Sequence, residues 1–135
     1  MMSQKTKYGI KALIFLAKQE MGSVVHTNDI AIQTQVPKKF LEQILLELKR
    51  NHIVGSRQGS KGGYYLLQKP EEVKLSTIHR HLDGPIALLP CVSLNFYEPC
   101  SDCENEHNCK MRLAFIEVRD KTLEAMENIT ILDMV

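Results

Sequence analysis

Four cysteines fall within nineteen residues, in the pattern Cys91-x8-Cys100-x2-Cys103-x5-Cys109. Thiolates are soft ligands, and four of them on an irregular polar stretch can surround a Zn²⁺ ion tetrahedrally or hold an iron–sulfur cluster. Ligand type does not separate the two. The Cys100-x2-Cys103 step is a zinc-knuckle spacing, yet the second pair of a zinc ribbon is missing, and neither ferredoxin run, C-x2-C-x2-C or C-x4-C-x2-C, is present. His107, inside the last interval, either replaces one thiolate or is an exposed loop histidine. The start Met-Met-Ser-Gln-Lys lacks the apolar core of a secretion signal, and the longest apolar run, Ala12 to Ala17, is far too short to cross a bilayer. A cytoplasmic protein is expected. Disulfide staples are rare there, and clustered cysteines act instead as metal ligands or redox centres.

Charge divides the chain at about the same place. Residues 1–80 hold 13 Lys and Arg against 6 Asp and Glu, whereas residues 81–135 hold 4 against 10, so the whole-chain value of +1 hides a basic half and an acidic half. A basic half suits a polyanion that an acidic half would repel. With 135 residues and 44% hydrophobic content, the chain has the length and composition of one packed domain, or one small domain with an extension.

The elements that must position these groups are legible as apolar periodicities. Ile10, Leu13, Ile14 and Ala17 predict a first helix over about residues 5–20, stopped by Gly22. Thr27 is the expected N-cap of a short second helix through Ile30 and Ala31, and Pro37 suits the first turn of a third. That third helix turns Leu41, Ile44, Leu45 and Leu48 inward and Lys38, Lys39, Glu42 and Gln43 outward at its start. Two helices across the tight turn Thr34-Gln35-Val36, the second opening with basic and amide side chains, make helix-turn-helix anatomy. A merely solvated helix face is the plain alternative.

Two short strands, at Ile53-Val54 and Tyr64 to Leu67, flank a glycine-rich hairpin tip that carries Arg57, Gln58 and Lys61. A basic hairpin after a recognition helix is the wing of a winged helix, suited to phosphates or the minor groove. Ser76 is expected to cap a further short helix that Gly84-Pro85 ends. Beyond the cysteines, Leu113, Phe115, Ile116, Leu123 and Met126 predict a helix from Lys110 to about Asn128, close to 30 Å long at ~1.5 Å per residue. A winged helix is too small to cover it, so a second copy is the expected partner.

The chain resembles the Rrf-two (Rrf2) family of winged-helix regulators, including its IscR and NsrR branches. The resemblance rests on Lys7-Tyr8-Gly9-Ile10-Lys11-Ala12-Leu13, on Ile30-Ala31 followed by Val36-Pro37-Lys38-Lys39-Phe40-Leu41-Glu42-Gln43-Ile44-Leu45, on the wing Gly59-Ser60-Lys61-Gly62-Gly63-Tyr64, and on Cys109 opening the long helix. It implies a third helix that reads the major groove through Lys38, Lys39, Phe40 and Gln43, a wing in the minor groove, and a homodimer on the long helix. It also implies a [2Fe-2S] or [4Fe-4S] cluster on three loop cysteines. Gln58 stands where many members carry the wing arginine, which would pass that role to Arg57 or Lys61. Arg112 stands where one branch has a histidine ligand, and Lys7 where another has an aspartate ligand. Cys91, Cys103 and Cys109 then match the family's ligands, with Cys100 the candidate fourth. Some members have lost the cluster and sense through a partner protein.

The expectation is therefore a mostly α protein with a small β-wing. It divides into a winged helix-turn-helix over residues 1–84, a cysteine-rich cluster-binding loop over 85–109, and a dimerisation helix with C-terminal tail over 110–135. Its expected partners are double-stranded DNA and a second copy, with no membrane and no small-molecule substrate. A structural zinc or a thiol–disulfide switch is the alternative to the cluster. No phosphate-binding glycine loop, nucleophile elbow or carboxylate pair points to an enzyme.

Overall fold

Ser3 opens the first helix, α1 (Gln4–Ala17), by accepting the Thr6 backbone N–H at its hydroxyl. The structure, a computed structural model, describes residues 2–135. Helices α2 (Thr27–Thr34) and α3 (Lys38–Arg50) follow, then strands β1 (Val54–Arg57) and β2 (Gly63–Leu66), helix α4 (Leu75–Leu82) and the long helix α5 (Lys110–Asn128). Short 3-10 turns occupy Pro70–Glu72, Pro90–Val92, Glu106–Asn108 and Leu132–Met134.

Several boundaries and faces differ from expectation for local reasons. Helix α1 ends at Ala17, and its buried face runs through Gly9, Ala12, Leu13 and Leu16, while Ile10, Ile14 and Ala17 only flank the core. Gly9 belongs to that face because a Cβ there would stand 2.5 Å from Leu82 Cδ1, so glycine lets α4 approach closely. Thr27 is not the cap of α2; His26 is, its Nδ1 accepting the Asn28 N–H, and Thr27 is the first helical residue. Pro37 sits one position earlier than expected, at the N-cap of α3. Ser76 does not cap α4, which starts at Leu75 after Lys74; it is buried and donates its hydroxyl to Glu127 Oε1 at 3.1 Å.

The tight turn between α2 and α3 depends on Gln35, whose φ of 57° is left-handed and lets its N–H reach the Ala31 carbonyl. Val36 beside it is buried. Helix α3 then sinks Leu41, Ile44, Leu45 and Leu48, each at most 1% exposed, into the centre of the core. Each such burial stabilises by about 1.5–3 kcal/mol. Strands β1 and β2 pair antiparallel, with Val54 opposite Leu66 and Arg57 opposite Gly63. Val25 adds a single-residue third strand, exchanging two 2.8 Å backbone hydrogen bonds with Tyr64. Gly63 makes that contact possible, since a Cβ there would collide with the Val25 carbonyl.

The C-terminal segment returns to the winged helix. Leu75 N–H donates to the Ile129 carbonyl at 2.8 Å, Ile131 N–H to the Val73 carbonyl at 3.0 Å, and Ile131 is fully buried in the core. By contrast, α5 has no fully buried residue, and Met111, Leu113 and Val118 are 57%, 59% and 42% exposed. Among the described residues, no helix is long and apolar enough to cross a membrane.

Candidate DNA-binding face and cysteine cavity

Because its apolar stripe is locked into the core, α3 must turn Lys38, Lys39, Phe40, Glu42 and Gln43 to solvent. Pro37 offers α3 no side-chain cap, so its first-turn N–H groups lack one acceptor of the usual kind. Together with the Lys38 and Lys39 ammonium groups, they present a concentrated positive end suited to phosphate. Lys38 leans toward Glu42, with 3.9 Å between charges at an exposed site, so the pair is weak and easily exchanged. Phe40 is half committed elsewhere: its ring packs edge-on against Tyr8, centroids 5.7 Å apart, and pins the start of α3 to α1. Gln43 is exposed one turn further on, its amide free of protein hydrogen bonds among the described residues.

On the wing, Arg57, Gln58 and Lys61 are all exposed. Arg57 is not on the hairpin tip: it ends β1, and its guanidinium lies 5.7 Å from the centre of the Tyr65 ring. The pair makes a cation–π contact, while Gln58 and Lys61 stand on the tip proper.

The four cysteines, spread over nineteen residues, line one cavity of about 310 Å³, walled also by Leu89, Glu98, Glu106, Met111 and Arg112. Cys91 is buried, and the other three are partly exposed and unpaired. Cys109 is the N-cap of α5, its sulfur accepting the Arg112 N–H at 3.4 Å. Cys100 donates its thiol to Asp102 Oδ1 at 2.8 Å; this bond holds the Cys100 pKa above the ordinary thiol value and that of Asp102 below the usual carboxylate range. Glu106 braces the loop, accepting the Tyr97 hydroxyl at 2.6 Å and the Cys100 N–H at 3.3 Å. The bond from Tyr97 keeps the Glu106 carboxyl below its ordinary pKa. His107 is exposed and does not line the cavity. Among the described residues, no three His, Cys, Asp or Glu side chains converge to metal-binding distance. The sulfurs share a cavity without yet meeting in it.

Compared with known families, residues 2–135 match the model for Rrf2, described as an iron-dependent transcriptional regulator. The chain belongs to the Rrf2 family. It is similar to an rrf2-like HTH-type transcriptional regulator of Rhodobacter capsulatus, 42% identical over 99% of this chain and 91% of that protein. Among solved structures, it resembles CymR, the global cysteine regulator of B. subtilis, with TM-score 0.78, 29% identity and coverage of 99% and 95%. It also resembles T. potens IscR, with TM-score 0.75, 25% identity and coverage of 99% and 85%.

This Rrf2 protein wires its cavity to its helices through residues that periodicity does not reveal. Arg112 Nε donates to the Cys91 carbonyl at 3.4 Å and Arg119 Nη1 to the Val92 carbonyl at 2.8 Å, so two arginines of α5 grip the turn that holds Cys91. At the other end of α5, Glu127 meets Lys74 at 3.2 Å, Arg80 at 3.7 Å and the buried Ser76 hydroxyl. Helix α5 is thus tied at one end to the cysteines and at the other to the winged helix. Of these groups, only the two arginines carried a signal in the sequence: they are two of the four cations in an acidic half, spaced seven residues apart.

Proposed function

We propose that this Rrf2 transcriptional regulator is a homodimer whose DNA affinity is set by an iron–sulfur cluster held in the cysteine cavity. The observation that carries the reading is that all four cysteines border one cavity at the N-terminus of α5. By type the donors suit such a group, four soft sulfurs, one of them capping a helix, beside a space of about 310 Å³, although no three of them converge to metal-binding distance among the described residues. Cys91, Cys103 and Cys109 would hold the group, and Cys100 would complete the set by giving up its bond to Asp102. When bound, such a cluster supplies iron–thiolate bonds that respond to oxidants, nitric oxide and iron supply. Held on one centre, the sulfurs would order residues 91–109, and Arg112 and Arg119, bonded to the Cys91 and Val92 carbonyls, would carry that order into α5. Helix α5 in turn sets the position of α4 through Glu127, and so the spacing of two winged helices in a dimer. On DNA, Lys38 and Lys39 contact phosphates or base edges and Gln43 reads a base in the major groove. Phe40 supports them from the side, and Arg57, Gln58 and Lys61 follow the adjacent minor groove or its phosphates. The division into a winged helix, a ligand loop and a dimerisation helix with tail belongs to the same proposal.

A second reading has no cluster: the loop holds a structural zinc or, with its four cysteines free and not converging on a metal, closes a thiol–disulfide switch. Anaerobic reconstitution with iron and sulfide decides between them. The expected result is a visible thiolate-to-iron absorption, weakened in each single Cys→Ala variant at 91, 103 and 109, and a 5–150-fold change in operator affinity. A colourless protein that retains zinc or forms a disulfide in air establishes the second reading instead.

A further inference from the structure

Helix α1 carries charge that the exposed start of α3 does not account for. Residues 1–19 hold four lysines and no Asp or Glu. Lys5 is paired with Glu47 of α3 at 2.7 Å, whereas Lys7, Lys11 and Lys18 are exposed, with no carboxylate within salt-bridge distance among the described residues. Their spacing puts them on one side of the helix, over about 16 Å at ~1.5 Å per residue. Between this stripe and the last turn of α2 lies a groove of about 250 Å³, lined by Lys11, Ile14, Phe15, Lys18, Gln33 and Thr34. Ile14 and Phe15 pack inward against the core, Gln33 is exposed, and Thr34 gives its hydroxyl to the Ile30 carbonyl at 2.6 Å. Among the described residues, no carboxylate lines the groove; two ammonium groups and an amide border an apolar floor.

We propose that this groove is a second, sequence-independent DNA contact, in which Lys11, Lys18 and Gln33 hold backbone phosphates beside the site read by α3. The proposal rests on the DNA-reading role given above to α3. The groove is continuous with that face: Tyr8, between Lys7 and Lys11 in the chain, packs on Phe40 at the start of α3, and Thr34 leads directly into the turn before α3. Its chemistry is that of a sugar–phosphate strand. The ammonium and amide N–H groups donate to phosphate oxygens, and Ile14 and Phe15 lie against deoxyribose. Lys7 extends the stripe by one turn. DNA is favoured over an acidic peptide because α3 brings the duplex to this side of the molecule.

The test is a salt series and ethylation interference on a duplex that the wild-type protein selects from a random pool, comparing it with the double variants Lys11→Ala/Lys18→Ala and Lys11→Arg/Lys18→Arg. The alanine pair should lower the slope of log affinity against log salt by about two units, one for each lysine, and abolish interference at phosphates next to the half-site while leaving base preference unchanged. The arginine pair, which keeps both charges, should bind as the wild type does. Both lysines are exposed, and equal helical circular dichroism separates lost contacts from lost folding. An alanine pair with the wild-type slope and interference pattern, while Lys38→Ala still lowers the slope, overturns the proposal and leaves the reading role of α3 standing. The same result, joined to loss of binding to a glutamate-rich peptide, assigns the groove to a protein partner and also overturns it. A wild type that selects no duplex overturns both readings together.

Discussion

Lys38, Lys39 and Gln43 are all exposed within the first two turns of α3, yet their chemistry predicts different losses. An ammonium group attracts any phosphate, so Lys38→Ala should weaken binding to all duplexes alike and lower the slope of log affinity against log salt by about one unit. Its one ion-pair partner among the described residues, Glu42 at 3.9 Å, is too exposed to change this expectation. The Gln43 amide can pair with both hydrogen-bonding atoms of an adenine edge, at about 1–3 kcal/mol per good contact. Gln43→Ala should therefore flatten sequence preference at one position of each half-site while leaving the salt slope nearly unchanged. Binding isotherms on matched and mutated operators over a salt series separate the two; an unchanged preference would remove Gln43 from base readout. Phe40 belongs to another class, because its packing on Tyr8 makes Phe40→Ala a change in the seating of α3 as well as in its surface.

At the scale of elements, the Glu127 carboxylate is the side chain of α5 that ties its last turn to α4 and the residue before it. The hydrogen bonds to Glu127 from Lys74 and Ser76, with Arg80 nearby, keep its pKa below the ordinary glutamate value. A depressed folded pKa means that the ionised carboxylate stabilises the fold. That contribution is fully present above the unfolded value of about 4.3 and is lost as pH falls through the lower folded value. Glu127→Gln should lower stability at pH 7 and make the acid limb of the stability curve shallower, as read by urea melts between pH 7 and pH 3. Wild type and variant losing stability in parallel across that range would show that the contact is too solvated to matter. The same tie predicts that the substitution blunts any effect of the cysteine loop on DNA affinity, since Glu127 is where α5 meets α4.

For the whole molecule, the open question of architecture is what covers α5. Met111, Leu113 and Val118 expose apolar surface along a helix with no fully buried residue, and Leu88 beside it is 66% exposed. Apolar area of that extent is normally removed from water, and a second copy would do so with the twofold symmetry that a palindromic operator would match. Light scattering at micromolar concentration should give twice the chain mass of 15.4 kDa. Val118→Glu should return it to one chain mass and weaken operator binding, because two half-site contacts would then no longer act as one. A wild type that scatters as a single chain would leave the helix face without its proposed partner.

Local periodicity was sufficient for α3, since Leu41, Ile44, Leu45 and Leu48 repeat at helical spacing and each is buried where that spacing puts it. It was also sufficient for the polar start of α3, for the antiparallel wing and for the long last helix, all of which depend on neighbours close in sequence. Faces and caps decided by distant chain segments were not legible. The buried side of α1 is set by Leu82 pressing on Gly9, seventy-three residues away in the chain. Ser76 reads as a cap in sequence, yet the fold turns it toward Glu127, and Ile131 reads as tail although the core closes around it. For the cysteines, their type and spacing announced ligand chemistry. Only the fold could bring all four to one cavity and set Arg112 in its wall, because a cavity is bounded by segments whose meeting depends on the packing of the whole chain.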